Sequence, residues 1–168
     1  MVLIPLSQGK FAMVDDEDAE RVLQFRWHAD AHHRNNGPEL IYASSHILLE
    51  NGKRTKQRLH RFIVGAKPGE RCDHVDGNGL NNTRSNLRIC SQAENCRNSR
   101  GRAGLSSQYK GVCWNGQRNK WQADISINNK TQYLGLFTNE TDAARAYDTA
   151  ALERYGTFAR TNAMEGLL

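Results

Sequence analysis

A chain of 168 residues and 19.0 kDa has room for one ordinary domain or two to three small modules, which excludes a large enzyme core. With 38% hydrophobic and 24% charged residues and a mean hydropathy of -0.73, the core is expected to be thin. No apolar run approaches the roughly 18 residues of a membrane span, and the opening Met1-Val2-Leu3-Ile4-Pro5-Leu6 is too short and too uncharged for a secretion signal, so a soluble, cytoplasmic protein without membrane contact is expected.

The net charge of +5 is unevenly spread. Lys and Arg number 4 against 8 Asp and Glu in residues 1–50, 13 against 4 in 51–110, and 6 against 6 in 111–168. All of the positive excess therefore lies in the middle block, as expected of a surface that meets phosphate backbones or, more plainly, of a solvated basic face. Cys72, Cys90, Cys96 and Cys113 form no CxxC doublet, so reduced thiols and no structural zinc are expected.

In chain order, short strands are predicted at about 2–6 and 10–14, then a helix whose acidic first turn, Asp15 to Glu20, leads into Val22-Leu23 and suits the positive end of a helix dipole. Strands follow at Trp27–Ala29 and Leu40–Leu49, with His32-His33-Arg34-Asn35-Asn36 read as an exposed loop. Asn51-Gly52 then reads as a hairpin turn into a strand at Arg54–Leu59 that carries Lys53, Arg54, Lys56 and Arg58 on a positive flank. Leu59–Val64 is a short helical or extended apolar segment closed by Gly65 and by the Pro68-Gly69 turn.

From Cys72 to Asn98 the chain holds six asparagines among few apolar residues, a composition for loops held by side-chain hydrogen bonds. Asn86–Cys90 reads as a strand, and Ser91-Gln92-Ala93-Glu94 fits a capping box at a helix start. Residues 101–107 are small and polar and mark a linker. Beyond them, strands are predicted at Tyr109–Trp114, Lys120–Ile127 and Thr131–Phe137, separated by Asn115-Gly116 and Asn128-Asn129 turns. A helix from Glu140 to Tyr155 follows, with Ala143, Ala144, Ala146, Tyr147, Ala150, Ala151 and Leu152 as its packing stripe. Strand period turns Trp121, Ala123, Ile125 and Ile127 toward that helix and Gln122, Asp124 and Ser126 away from it.

Asp73-His74, Asn86 and Asn95 have the ingredients for metal-assisted phosphodiester cleavage. A hard divalent cation such as Mg²⁺ or Mn²⁺ takes oxygen ligands, which Asp73 and the Asn95 amide supply, and His74 can take a proton from an attacking water. Asn98 is an alternative ligand if the helix phase differs. Asn78, Asn81 and Asn82 read as turn formers, and His60 either as a packed residue or as one that orients substrate. Neighbouring strand residues point to opposite faces, so Asp73 and His74 converge only if the strand ends or bulges there.

The residues Leu59-His60-Arg61, Pro68-Gly69, Cys72 through Asn82, Ser85-Asn86-Leu87-Arg88 and Glu94-Asn95-x-x-Asn98 resemble the HNH endonucleases of the phage and intron-encoded homing type. The resemblance implies a ββα-metal fold holding one divalent ion on Asp73 and Asn95, with His74 as general base and Asn86 fixing the loop. Asn95 stands where the family name puts histidine. Residues 109–163 are similar to an AP2 DNA-binding domain, through Tyr109-Lys110-Gly111-Val112, Lys120 through Ile125, Tyr133-Leu134-Gly135-x-Phe137 and Asp142 through Ala151. That resemblance implies a three-stranded antiparallel sheet laid in the DNA major groove, with Arg118, Lys120, Gln122, Asp124 and Tyr133 as contact candidates. The arginines of the plant pattern are lacking at Cys113 and Ser126.

The expected architecture is α+β. It comprises a β-rich region at 1–58, the ββα-metal motif at 59–100, the linker at 101–107 and the AP2-like reader at 108–163. Its function would be site-selective cleavage of double-stranded DNA in the cytoplasm of a bacterial or phage-infected cell, with no protein partner evident. The rival expectation is a non-catalytic, DNA-binding transcriptional regulator with a relic motif.

Overall fold

The computed structural model describes residues 1–32, 39–48, 52–99, 105–128 and 130–168. The chain folds into two units, Met1–Asn95 and Cys96–Leu168, and among the described residues the named strands pair antiparallel in four small sheets. The architecture is α+β.

In the first unit, β1 (Val2–Pro5) pairs with β2 (Phe11–Val14) and is followed by α1 (Asp16–Leu23). Strands β3 (His28–His32), β4 (Leu40–Leu48) and β5 (Arg54–Arg58) form a sheet in sequence order. The helix α2 (Leu59–Val64) leads to the β6 (Arg71–His74) and β7 (Leu87–Cys90) pair, and then to α3 (Gln92–Arg97), within which the first unit ends at Asn95. Ile4, Ala12, Val14, Val22, Trp27, Ala43, Leu59, Ile63 and Leu87 make one core, so the N-terminal strands and the asparagine-rich motif fold on shared apolar side chains.

Strand β3 runs further than its apolar residues suggested. His32, expected in an exposed loop, ends this strand opposite Leu40, because backbone pairing with β4 continues past the buried Ala29. His33 to Asn36, Asn51 of the hairpin turn, residues 101–104 of the linker and Asn129 lie outside the described residues. The acidic first turn of α1 does form, but Asp18 is fully buried, held by Arg84 Nε at 2.8 Å and by Arg21. Burial alone would raise its pKa, and the two guanidiniums outweigh that and keep the carboxyl below its usual range.

In the second unit, β8 (Val112–Asn115), β9 (Lys120–Ile127) and β10 (Lys130–Phe137) form a sheet in the order β10-β9-β8, backed by α4 (Glu140–Tyr155). Ala123 and Ile125 are buried against Ala143, Ala144, Tyr147, Ala150 and Ala151, the face assignment that strand period requires. Leu152 departs from the expected stripe and is 50% exposed. Asp148, on the same helix, is buried instead and accepts the backbone N–H groups of Asn162 and Ala163 at 2.8 and 2.9 Å. Asn162 in turn accepts the Lys110 backbone N–H at 2.7 Å, which ties the end of the chain to the start of the sheet.

Candidate active site

The loop between β6 and β7 is built around Asp76. Its Oδ1 accepts the Asn78 backbone N–H at 2.7 Å and Asn86 Nδ2 at 2.9 Å, and its Oδ2 accepts Asn81 Nδ2 at 2.8 Å. Asn86 also accepts the Asp76 backbone N–H at 3.0 Å and donates to the Asn81 carbonyl at 2.8 Å, closing the loop from both sides. Burial would raise the Asp76 pKa, but these hydrogen bonds outweigh it and hold the carboxylate below its usual range.

The same loop is pinned to the N-terminal hairpin. Met13 donates its backbone N–H to the Leu80 carbonyl and accepts that of Asn82, both at 2.8 Å. Gly79 sits so close to β4 that a Cβ there would overlap the Ile41 carbonyl oxygen and approach the Tyr42 ring at 2.7 Å. Asn82 is thereby placed with no exposed surface.

Strand β6 stops at His74, and its last two residues reach different partners. Asp73 is paired across the strands with Arg88, whose Nη2 lies 2.9 Å from Oδ2. His74 places Nε2 at 3.2 Å from Asn82 Oδ1. The Asn82 amide nitrogen faces the Gly79 carbonyl at 3.5 Å, so its oxygen is the atom turned to the histidine. An amide oxygen only accepts, so Nε2 carries the imidazole proton and the basic lone pair is on Nδ1. Burial lowers the His74 pKa and so favours the neutral ring, opposed by the Asn82 hydrogen bond and by the charges of Asp76 and Asp73.

Two further rings enclose His74. The His60 centroid lies 4.9 Å away at an interplanar angle of 77°, and the Tyr42 centroid lies at 5.9 Å. Asn95, on α3, is half-buried at the end of the first unit, whereas Asn98 is buried in the second. Among the described residues no three His, Cys, Asp or Glu side chains gather as a metal cage. Asp73 and Asn95 offer a carboxylate and an amide oxygen, the donor types that a hard, largely hydrated cation takes.

No family model matches the chain. It is 35% identical to an uncharacterized HNH endonuclease of Acanthamoeba polyphaga mimivirus over 169 aligned residues, which cover 97% of this chain and 80% of that protein. The chain belongs to the HNH endonuclease family. A 68-residue segment, 39% of the chain, is 44% identical to the AP2-like ethylene-responsive transcription factor PLT2 of Arabidopsis thaliana and 43% identical to CRL5 of Oryza sativa, covering 12% and 11% of those proteins.

This HNH protein carries its basic candidates on β5 and at Lys53 just before it. Lys53 and Arg54 are exposed, Lys56 Nζ lies 2.6 Å from Asp30, and the Arg58 guanidinium lies 5.0 Å from the Tyr42 ring centroid. In the second unit, Asn115 donates to Gln122 at 2.8 Å and Gln122 to Asp124 at 2.7 Å, across the sheet face turned away from α4. Tyr133 stands opposite Asp124 and is 56% exposed, and Arg118 and Lys120, just before Gln122 in sequence, are exposed. Trp121 packs against the α4 core, and Trp114 lies edge-on to it at 5.0 Å while 43% exposed.

The sequence pattern does not single out Asn82 or Arg88. Asn82 is one asparagine among several turn formers, and its place eight residues after His74 is its one signal. Arg88 is directly opposite Asp73 in the register, which becomes visible once Asp73 and Arg88 are aligned across a two-stranded pair. All four cysteines are free thiols, and among the described residues no helix is long and apolar enough to cross a membrane.

Proposed function

We propose that this protein is a site-selective endonuclease that hydrolyses phosphodiester bonds of double-stranded DNA, using His74 as the general base and one divalent ion, Mg²⁺ or Mn²⁺. The observation that carries the reading is a buried His74 whose Nε2 lies at hydrogen-bond distance from Asn82 Oδ1, beside Asp73 and in a chain of the HNH family. His74 Nδ1 takes a proton from water, the water oxygen bonds to phosphorus, and the bond from phosphorus to the leaving oxygen breaks. Asp73 and Asn95 would hold the divalent ion, which when bound polarises the phosphate and neutralises charge on the leaving oxygen. Arg88 keeps the Asp73 carboxylate oriented, and Asn86 keeps the loop closed around Asp76.

The AP2-like segment is assigned to the second unit, whose outward Gln122, Asp124 and Tyr133, with Arg118 and Lys120, would read base edges and phosphates. Lys53, Arg54, Lys56 and Arg58 would grip the backbone near the cut, so binding weakens steeply with salt. The free thiols accord with work in the cytoplasm. A non-catalytic regulator is the second reading, favoured by the similarity to plant transcription factors. Mapping cleavage positions on DNA surrounding the protein's own gene decides between them. Discrete cuts at one or a few positions are expected of the endonuclease, and protection without cutting is expected of the regulator.

A further inference from the structure

Among the described residues, one buried side-chain polar atom has no hydrogen-bond partner, the Nδ1 atom of His60. His60 sits in the first turn of α2 and is 4% exposed. Its ring meets His74 edge to face at 4.9 Å, and Tyr42 closes the third side at 5.6 Å from His60 and 5.9 Å from His74. A phenylalanine or leucine would fill such a site without stranding a polar atom, so stability does not account for an imidazole there.

We infer that His60 is a positioning residue for DNA cleavage, holding the His74 ring for proton transfer and offering Nδ1 to a hydrogen bond that forms in the DNA-bound state. The inference rests on the reading of His74 as the base. Asn82 holds His74 at Nε2, and His60 packs edge to face on the same ring, where it restrains the ring's rotation. Hydrogen bonds at catalytic centres commonly close only with substrate in place, so an idle buried nitrogen beside the base is a group waiting for a partner. Tyr42 joins this cluster to the basic strand β5, since the Arg58 guanidinium lies 5.0 Å from its ring centroid, and DNA bound there lies against the same cluster.

The test compares the full chain with His60→Phe, His60→Leu and His60→Asn on supercoiled plasmid carrying the protein's own flanking DNA, with Mg²⁺ or Mn²⁺. Single-turnover rate and the protein concentration for half-maximal rate are measured separately, and circular dichroism melting reports folding. Phenylalanine keeps the ring and removes the nitrogens, whereas asparagine restores a hydrogen-bonding group where Nδ1 stood. The rate of His60→Phe is expected to fall about 10- to 100-fold at an unchanged half-saturation and an unchanged or higher melting temperature. His60→Asn is expected to regain part of that rate, because it keeps a hydrogen-bonding group but not the ring that restrains His74, and His60→Leu is expected to regain none. Wild-type cleavage with an unaffected His60→Phe, or no rescue by asparagine in a folded variant, overturns the inference alone. Absence of cleavage by the wild type overturns the nuclease reading and the inference with it.

Discussion

His74 Nε2 lies 3.2 Å from Asn82 Oδ1, between two residues that are 5% and 0% exposed. The contact fixes which ring nitrogen is basic, and it depends on β2, whose Met13 backbone holds residues 80 to 82. Replacing Asn82 by Leu removes the acceptor, leaves the Nε2 proton buried without a partner and frees the ring to turn. Cleavage is expected to slow by about 100-fold with DNA affinity retained, as measured by single-turnover nicking alongside gel-shift titration.

Asp73 and Arg88 are directly opposed on β6 and β7, with side chains only 11% and 16% exposed. Breaking a buried pair by removing one partner leaves an uncompensated charge. Arg88→Leu is therefore expected to destabilise the first unit by about 3 kcal/mol, read from the midpoint of a urea titration. The same variant loses cleavage even at temperatures where it remains folded, because Asp73 is no longer oriented.

Stability should depend on pH through His60. Burial, followed by the charges of His74, Arg58 and Arg61, takes its pKa down from 6.5 to about 3. Between these values the unfolded chain binds a proton that the folded chain does not, so stability falls as pH drops below about 6.5, by up to about 1.4 kcal/mol per pH unit. His74, also lowered by burial, acts in the same direction. Melting temperatures between pH 6.5 and 4.5, above the carboxylate range, are expected to decline less steeply for His60→Phe than for the wild type.

In the second unit, Gly111 has φ of +77°, and a Cβ there would overlap the Tyr147 ring on α4. Gly111→Ala forces the helix and sheet apart. Site-selective binding is expected to be lost in a footprinting experiment, while low-level nicking of plasmid by the first unit persists.

Elements whose side chains declare themselves locally were readable from sequence. The β4 and β5 arms, the capping box in which Ser91 and Glu94 exchange hydrogen bonds, and the alternation that buries Ala123 and Ile125 all follow from period and short-range chemistry. Contacts that depend on distant partners were not. The acidic run of α1 reads as dipole compensation, yet Asp18 anchors Arg84, 66 residues away. Asn82 reads as one more turn former because the same amide that favours a turn also makes a buried hydrogen bond. Asp148 looks like a solvated helical carboxylate until the returning chain places Asn162 and Ala163 against it. At the candidate site, the residue types and the strand ending at His74 were legible, whereas the rings of Tyr42 and His60 around it required the fold.

The proposed role of His74 is that of the base in a metal-dependent cleavage reaction. It is tested most directly by incubating the wild type and His74→Ala with supercoiled plasmid carrying the protein's own flanking DNA, with and without Mg²⁺ or Mn²⁺. Metal-dependent conversion to nicked or linear DNA by the wild type, and loss of at least about 100-fold of that rate in a folded His74→Ala, is the predicted result. Equal cleavage by both proteins, or no cleavage by the wild type with either ion, would contradict it.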